Sequence, residues 1–270
     1  MTFAACVFGN PIKQSKSPLI HQAFAKQFDF AFDYTKSCPE VADFEQQVKG
    51  FFSNPNSVGA NVTLPFKERA FPMADKLNSQ AQRAGAVNTL IAKDGTLIGD
   101  NTDGKGLVDD LIRHDVQLQG SRVLVIGAGG ASKGALPALV DSGVASIEIY
   151  NRTQERAQEL VNLVQQYAVQ PIRLFEQASG YDLIINATSL SLTEQVPEIS
   201  SDIFTQCSTC YDMVYLNEPT AFMTLAGSNQ VEKCIDGLGM LVGQAAESFY
   251  LWFGKRPDVN PVLAQLRSDL

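Results

Sequence analysis

Four short polar segments in the N-terminal part of the chain carry side chains that could do chemistry. They contain serine and threonine hydroxyls, asparagine amides, a lysine (Lys67) and a carboxylate (Asp103). Each segment follows or begins a predicted strand, and ligands of α/β proteins bind outside the carboxyl ends of strands. The segments are residues 9–18, 59–67, 85–89 and 99–104. The pattern predicts one shared pocket, suited to a small polyhydroxylated acid.

Each reactive candidate also has an ordinary structural interpretation. Lys67 would lie in the first turn of a helix opened by Pro65, where exposed lysines are common. Asp103 precedes Gly104 at a predicted helix start, a position at which aspartate caps the helix. Only the shared location with the other polar segments favours a reactive pair.

A glycine-rich loop in the middle of the chain predicts a nucleotide site. The apolar strand of residues 122–126 runs into Gly127 and Gly129, then into a helix expected at residues 135–141 and a second strand at 146–150. Gly127 allows a tight turn, Gly129 lets the backbone approach a pyrophosphate, and the helix N-terminus carries partial positive charge. Ser132 stands where glycine or alanine is usual. Because every part of the unit is present, dinucleotide binding is favoured over a plain strand-to-helix turn.

The residues after the second strand bear on which dinucleotide binds. An NAD-selective fold places Asp or Glu here to bind the ribose 2′-hydroxyl, whereas this chain has Asn151, Arg152 and Thr153. Arg152, with Arg156 one helical turn later, offers guanidinium groups suited to a 2′-phosphate. An alternative stays open, in which Thr153 caps the helix and the arginines form a solvated face. The sequence predicts NADP rather than NAD.

The elements that must position these residues alternate between strand and helix, which is typical of an α/β fold. Strands are expected at residues 3–8, 30–35, 57–62, 87–92 and 96–99, and helices at 18–28, 41–52, after Pro65 and from about 104 to 115. Asp94 and Gly95, between two β-rich runs, predict a hairpin that interrupts the alternation. A second α/β unit begins at residue 122.

Composition argues against several classes of function. The chain has 270 residues, a net charge of −8 and 45% hydrophobic residues, and its pI is ≈ 4.8. This length suits one large or two medium domains. An acidic chain without a Lys/Arg run is a poor partner for nucleic acid or an anionic membrane. With no apolar stretch near the ~18 residues of a membrane span and no signal peptide, a cytoplasmic location is expected.

Cysteines and histidines offer little material for metal or triad chemistry. Cys207 and Cys210 have CxxC spacing, but no second CxxC and no histidine lie nearby, so coincidence is favoured over a metal or redox site. Of the two histidines, His114 is predicted to be solvated and His21 to be a packing or capping residue. No metal is expected.

Motifs spread over essentially the whole chain carry a family resemblance. They are GNPIxxSxSPxxH, NVTxPxK, GAVNT, GDNTDG, GAGGAS, NRTxxRA, NATS, YDMVY and DGLGMLVxQAA, running from Gly9 to Ala246. In number and order they resemble the shikimate/quinate dehydrogenase family, and most closely its NADP-dependent shikimate dehydrogenases. The resemblance implies reversible reduction of 3-dehydroshikimate to shikimate, in the pathway to chorismate and the aromatic amino acids. It also implies two α/β domains around a cleft: a discontinuous substrate domain, residues 1–103 and 238–270, and a Rossmann-like NADP domain, residues 104–237.

The resemblance further implies roles for individual residues. Lys67 and Asp103 would form the catalytic pair, because oxidation of a secondary alcohol needs a base within about 3 Å of the hydroxyl and ketone reduction needs a proton donor. Ser15 and Ser17 would hold the substrate carboxylate. The other substrate ligands would be Asn61, Thr63, Asn88, Asp103, Tyr215 and Gln244. The cofactor ligands would be Gly127, Ala128, Gly129, Gly130, Ala131, Asn151, Arg152, Thr153, Arg156, Thr188, Met213 and Gly237.

The chain departs from the family pattern at three places. Many relatives carry glycine shortly after NATS, where this chain has Leu190-Ser191-Leu192, so the conformation of that cofactor loop is not predicted. The other two departures, Gln22 and Ala221, touch no proposed catalytic role.

Two other functions stay open: a quinate/shikimate dehydrogenase that uses NAD, and a non-catalytic NADP-sensing protein. A monomer and a homodimer are both compatible with the sequence.

Overall fold

The computed structural model describes residues 2–176 and 179–270. The chain divides into two compact units, each built around its own six-stranded sheet. The first unit ends at Gly106 and resumes at Val242–Leu266, and the second comprises Leu107–Leu241 and Arg267–Leu270. These limits lie a few residues beyond the domain limits predicted above, 103/104 and 237/238, which stay a prediction. The predicted α/β class with a Rossmann-like second unit is confirmed.

Strands and helices alternate along most of the described chain. The strands are β1 (Phe3–Phe8), β2 (Phe32–Ser37), β3 (Ser57–Val62), β4 (Lys76–Leu77), β5 (Thr89–Lys93), β6 (Thr96–Asp100), β7 (Arg122–Ile126), β8 (Ser146–Tyr150), β9 (Ile172–Leu174), β10 (Leu183–Asn186), β11 (Thr209–Asp212) and β12 (Lys233–Ile235). The α-helices are α1 (Ser17–Lys26), α2 (Phe44–Phe52), α3 (Lys67–Ala70), α4 (Ser79–Ala84), α5 (Asp103–Arg113), α6 (Gly130–Asp141), α7 (Gln154–Gln165), α8 (Ala221–Ser228), α9 (Leu238–Phe253) and α10 (Asn260–Ser268).

The sheet of the first unit is mixed, with strand order β2-β1-β3-β5-β6-β4. β1 is parallel to β2 and β3, whereas β5 is antiparallel to both β3 and β6. The carboxyl ends of β1, β3 and β6 and the amino end of β5 therefore lie at one edge, and all four polar segments meet there. Asp94 and Gly95, with φ of 50° and 73°, form the two-residue turn between β5 and β6, as the predicted hairpin requires.

The sheet of the second unit is wholly parallel, with strand order β12-β11-β10-β7-β8-β9. Successive residues of β7 face opposite layers: Val123 and Val125 join the core that contains α6 and α7 residues, whereas Leu124 and Ile126 join the core of the other face. A strand that is covered on both faces has an uninterrupted run of apolar residues in its sequence. β7 is such a strand, and its bounds agree with the sequence prediction to the residue. The bounds of β8 agree as well, although only alternate residues of β8 are buried.

Gly59 in β3 allows a close contact inside the first unit. A Cβ atom there would overlap the indole of Trp252 and lie 2.5 Å from the carbonyl oxygen of Leu90, to which Trp252 Nε1 donates a hydrogen bond of 3.0 Å. We expect Gly59→Ala to lower the free energy of unfolding by about 1–3 kcal/mol through overpacking. Gly50→Ala is the control, because a Cβ on this α2 residue meets nothing within 4 Å and alanine favours helix by ~0.5–1 kcal/mol. Urea unfolding of both variants tests this, and equal effects would contradict it.

His21 is a packing residue whose burial makes stability depend on pH. It is 0% exposed and its ring stacks on Tyr34 with centroids 4.5 Å apart. Neither ring nitrogen forms a hydrogen bond with the described residues. Burial lowers the pKa of His21 from 6.5 to about 3, and the Asn61 side chain opposes this shift.

We expect the free energy of unfolding to fall as the pH drops below 6.5, because the unfolded state then binds a proton that the folded state does not. At pH 5 the loss from this histidine should be about 2 kcal/mol relative to pH 7. Urea unfolding at both pH values tests this. The pH dependence should shrink in His21→Phe and persist in His114→Gln, which changes an exposed histidine; an unchanged dependence in His21→Phe would refute the assignment.

Candidate active site

Lys67 and Asp103 form an ion pair at the sheet edge where the polar segments meet. Nζ of Lys67 lies 2.6 Å from Oδ2 of Asp103, with the two side chains 19% and 8% exposed. Lys67 begins α3 and Asp103 begins α5, so two helix starts bring residues 36 positions apart into contact. An ammonium held by a carboxylate can donate a proton to a ketone oxygen and, once neutral, accept one from a hydroxyl.

Asn88 holds the other oxygen of Asp103. Its Nδ2 donates to Oδ1 of Asp103 at 2.8 Å and to the Thr102 hydroxyl at 3.0 Å, while its Oδ1 accepts from the backbone N–H of Thr102 at 2.9 Å. The two oxygens of Asp103 are thus held by different partners, which sets the plane of the carboxylate. The predicted role of Asn88 as a substrate ligand stays a prediction, beside this visible role in placing Asp103.

Asn61 lies in a buried polar network. Its Oδ1 accepts from the Tyr34 hydroxyl at 2.7 Å, and its Nδ2 lies within hydrogen-bond distance of Ser248 Oγ at 3.0 Å and Thr89 Oγ1 at 3.3 Å. The residue is only 6% exposed. Every polar atom of its side chain has a protein partner, so direct binding of substrate, which stays a prediction, would use the second lone pair of Oδ1 or displace one of these partners.

Ser248 and Tyr34 are site residues that the sequence reasoning missed. Oγ of Ser248 donates to the Gln244 carbonyl at 3.0 Å and lies 2.8 Å from Thr89 Oγ1, so it ties α9 to the start of β5. Because buried hydroxyls need partners, a serine on the apolar face of a helix, one turn after a glutamine, was the available signal. No comparable signal marks Tyr34, whose partner Asn61 is 27 positions away.

The serine pair and Thr63 lie in loops that pack together. The Ser15 hydroxyl donates a hydrogen bond of 3.1 Å to the Ser17 hydroxyl. The backbone N–H of Asn10 donates to the Leu64 carbonyl at 3.0 Å. A Cβ on Gly9 would lie 2.5 Å from the Thr63 methyl group, so the loops after β1 and β3 are in close contact. Their hydroxyls can thus serve one ligand.

The remaining two predicted substrate ligands lie in different units. Gln244 is a half-buried residue of α9 in the first unit. Tyr215 lies in the second unit, where burial, with a smaller contribution from Asp236, raises the pKa of its hydroxyl. Tyr215 is therefore a neutral hydrogen-bonding group at ordinary pH.

The glycine-rich loop fits a pyrophosphate. Gly127 has φ of +112°, and a Cβ there would come within 3.1 Å of the Thr188 methyl group, whereas Cβ positions on Gly129 and Gly130 meet only open space. Helix α6 starts at Gly130 without a side-chain cap, so its N–H groups can receive an anion. The Ser132 hydroxyl donates to the Gly127 carbonyl at 2.6 Å, which gives a structural reason for serine at this position.

Asn151 and Arg152 line a cavity of about 560 Å³ in the second unit, with Gly127 and Thr188 also in its wall. Asn151 Oδ1 accepts from the backbone N–H of Ala128 at 3.1 Å and so fixes the glycine-rich loop. Thr153 precedes α7, but its hydroxyl makes no capping bond. Arg152 thus lines the cavity, whereas Thr153 lies next to it in sequence and outside the lining, and the predicted contacts of both residues with a phosphate stay predictions.

The other predicted cofactor residues lie on nearby loops or helices of the same unit. Ala131 is in the first turn of α6, and exposed Arg156 is in the first turn of α7, outside the cavity lining. Met213 follows β11, and the backbone N–H of Gly237 donates to the Val214 carbonyl at 3.1 Å. The carboxyl ends of β11 and β12 thus bring Met213 and Gly237 to neighbouring loops.

The described residues show neither a metal-binding cluster nor a membrane-spanning helix. Sγ of Cys207 lies 4.0 Å from Sγ of Cys210, and both side chains are buried. The described ranges contain no cluster of three or more His, Cys, Asp or Glu residues able to hold a metal ion. Within the same ranges, no helix combines the length and apolar character needed to cross a membrane.

Comparison with known proteins places the chain in a family. Residues 7–90 match the shikimate dehydrogenase substrate binding domain, residues 110–200 match shikimate / quinate 5-dehydrogenase, and residues 237–267 match the shikimate 5′-dehydrogenase C-terminal domain. The shikimate dehydrogenase (NADP(+)) of Vibrio cholerae serotype O1 is 49% identical over 266 residues, which cover 98% of this chain and 95% of the relative. The chain belongs to the shikimate dehydrogenase family.

Two more relatives agree with this shikimate dehydrogenase assignment. The shikimate dehydrogenase (NADP(+)) of Shewanella halifaxensis is 50% identical, covering 100% of this chain and 97% of its own. The crystal structure of shikimate 5-dehydrogenase from Thermus thermophilus in complex with NADP(H) and shikimate superposes with a TM-score of 0.88 at 29% identity, covering 100% of both chains. The family, enzyme class and NADP cofactor predicted from the sequence are confirmed.

Proposed function

We propose that this chain catalyses the reversible, NADP-dependent reduction of 3-dehydroshikimate to shikimate, with Lys67 as the proton-transfer group and Asp103 as its partner. The observation that carries the proposal is the 2.6 Å ion pair of Lys67 and Asp103, at the edge where four polar segments meet. Membership of the shikimate dehydrogenase family supports the substrate and the cofactor.

Residues of the first unit transfer the proton and hold the transferring group in place. When bound, NADPH supplies a hydride to the carbonyl carbon of the substrate. Lys67 donates a proton to the carbonyl oxygen as negative charge develops there, and in the oxidative direction neutral Lys67 takes a proton from the hydroxyl. Asp103 stabilises the ammonium and fixes the position of Nζ, while Asn88 fixes Asp103.

Binding of an acidic, polyhydroxylated ring uses the hydroxyls around this pair. Ser15 and Ser17 bind the carboxylate, since their hydroxyls are adjacent and oriented hydroxyl donors suit an anion. Thr63 and Gln244 bind ring hydroxyls, while the role of Tyr215, a residue of the second unit, as a further substrate ligand stays a prediction. Asn61 and Asn88 then act mainly through their neighbours, because their side chains already have protein partners.

NADP is preferred over NAD in this proposal because Arg152 lines the cavity where an NAD-selective fold has a carboxylate. The proposal includes a cytoplasmic location, which five free thiols support. It is compatible with either a monomer or a homodimer.

The purified protein should oxidise shikimate with NADP+, followed by the near-ultraviolet absorbance of NADPH. We expect much lower activity with NAD+ and with quinate in place of shikimate. Preference for NAD+ or quinate would favour the quinate/shikimate alternative. Tight NADP+ binding without turnover on either substrate would contradict the proposal and favour an NADP-sensing protein.

A further inference from the structure

Asp212, the last residue of β11, is a fully buried carboxylate to which neither the sequence analysis nor the proposed mechanism assigns a role. The groups that donate hydrogen bonds to it among the described residues are all neutral. Burying a carboxylate without a counter-charge is costly unless hydrogen bonds replace its hydration. The donors around Asp212 must therefore replace its hydration.

Four hydrogen-bond donors surround Asp212, two on each oxygen. Its Oδ2 accepts from the hydroxyls of Ser191 and Thr220, both at 2.6 Å. Its Oδ1 accepts from the backbone N–H of Val214 at 3.0 Å and from Nδ2 of Asn186 at 3.1 Å. Four donors match the lone pairs of one carboxylate, and they come from four separate segments of the second unit.

Two of these donors adjoin the wall of the 560 Å³ cavity that Arg152 also lines. Ser191 lies in a 3₁₀ helix, Leu190–Thr193, whose first residue lines the cavity. Asn186, through its Oδ1, accepts from both the backbone N–H and the hydroxyl of Thr188, at 3.1 Å and 2.7 Å, and Thr188 also lines the cavity. Asp212 does not line the cavity itself, yet it holds both of these wall segments.

We propose that Asp212 is a positioning residue for the dinucleotide site, acting through Ser191 and Asn186 to hold the wall formed by residues 188–190. The inference rests on the proposed cofactor site. It also assigns a role to Ser191, in the stretch where this chain departs from its relatives: the serine hydroxyl anchors the loop to the buried carboxylate.

Electrostatics and positioning predict opposite results for an Asp212→Asn variant. Removal of a negative charge near a site for a polyanionic ligand would, by Coulomb attraction alone, strengthen binding. The amide of asparagine is neutral, however, and its NH₂ group can keep contact with Ser191 and Thr220 only if their hydroxyls turn from donors into acceptors, so the wall segments are held by weaker hydrogen bonds. A weaker ligand affinity in this variant therefore reports positioning.

The experiment is calorimetric titration of the full-length protein with NADP+ and, separately, with NAD+, in the absence of substrate. Asp212→Asn should weaken binding of both dinucleotides by the same factor, about 10- to 100-fold, the size expected for lost hydrogen bonds to a charged group. Arg152→Gln should instead weaken the binding of NADP+ much more than that of NAD+. Asp202→Asn is the matched control, because Asp202 is exposed and lies in the same unit, and its affinities should equal those of the wild type.

Ser191→Ala provides a second variant if Asp212→Asn does not fold. It removes one donor and should weaken the binding of both dinucleotides about 3- to 10-fold. Ser228→Ala is its control and should leave both affinities unchanged, because Ser228 is exposed and its hydroxyl donates to a carbonyl of its own helix, α8. Unchanged or tighter binding in Asp212→Asn and Ser191→Ala, or a loss confined to NADP+, would overturn the inference. A wild-type protein that binds neither dinucleotide would instead overturn the proposed function.

Discussion

Lys67→Ala should lower kcat for shikimate oxidation by about 10²–10⁴-fold, the range that general acid–base groups contribute. The variant keeps the strands, both helix starts and the polar network of Asn61 and Asn88, but it has no group at Nζ to move the proton. Cofactor affinity should be unchanged, because the residues that line the dinucleotide cavity belong to the second unit.

Lys67→Arg separates charge from proton transfer. A guanidinium retains a positive charge beside Asp103, which is only 8% exposed, but it does not give up its proton at neutral pH. We expect Lys67→Arg to fold like the wild type and still lose most of its turnover. Lys26→Ala, a change at an exposed lysine at the end of α1, should retain wild-type rates.

Steady-state kinetics with shikimate and NADP+ test both variants, together with a thermal unfolding curve for each. Retention of more than about a tenth of wild-type kcat by folded Lys67→Ala would refute the assigned role, since so small a loss falls below the range for a general acid or base.

Arg152→Gln should raise the KM for NADP+ by about 10-fold or more while changing that for NAD+ much less. The physical reason is a charge-assisted bond from the guanidinium to the 2′-phosphate, worth about 1.5–3 kcal/mol. NAD+ has a hydroxyl at the same position, so its affinity depends little on the guanidinium. The ratio of kcat/KM for the two cofactors is the measured quantity.

Arg173→Gln is the matched control for this change, because Arg173 is an exposed arginine of strand β9 in the same unit. It should leave the cofactor ratio at the wild-type value. If Arg152→Gln lowered kcat/KM equally for both cofactors, Arg152 would be a general contributor to the cavity rather than the group that selects NADP.

Local patterns determined most of the secondary structure of this chain. The predictions of β7 and of the Asp94-Gly95 turn were correct because burial on both faces and short-range sterics leave few alternatives. Helix α6 was wrong at its start: the prediction began at residue 135, whereas the helix begins at Gly130. The glycines indicated a loop, but residues 130–134 are helical: Ser132 and Gly134 are buried there, and the Ser132 hydroxyl donates to the Gly127 carbonyl.

The sequence by itself determined the family, the cofactor class and the set of polar segments, because these depend on residue types at short spacing. Only the tertiary structure decided which individual hydrogen bonds form among these polar groups. Lys67 pairs with Asp103, and Asn61 lies within hydrogen-bond distance of Ser248, 187 positions away, because strand order and direction bring four loops to one edge. Likewise, the anchoring of Ser191 on Asp212 depends on the pairing of β10 with β11. Hydrogen bonds between distant residues depend on the order and direction of the strands, which short-range sequence patterns do not specify.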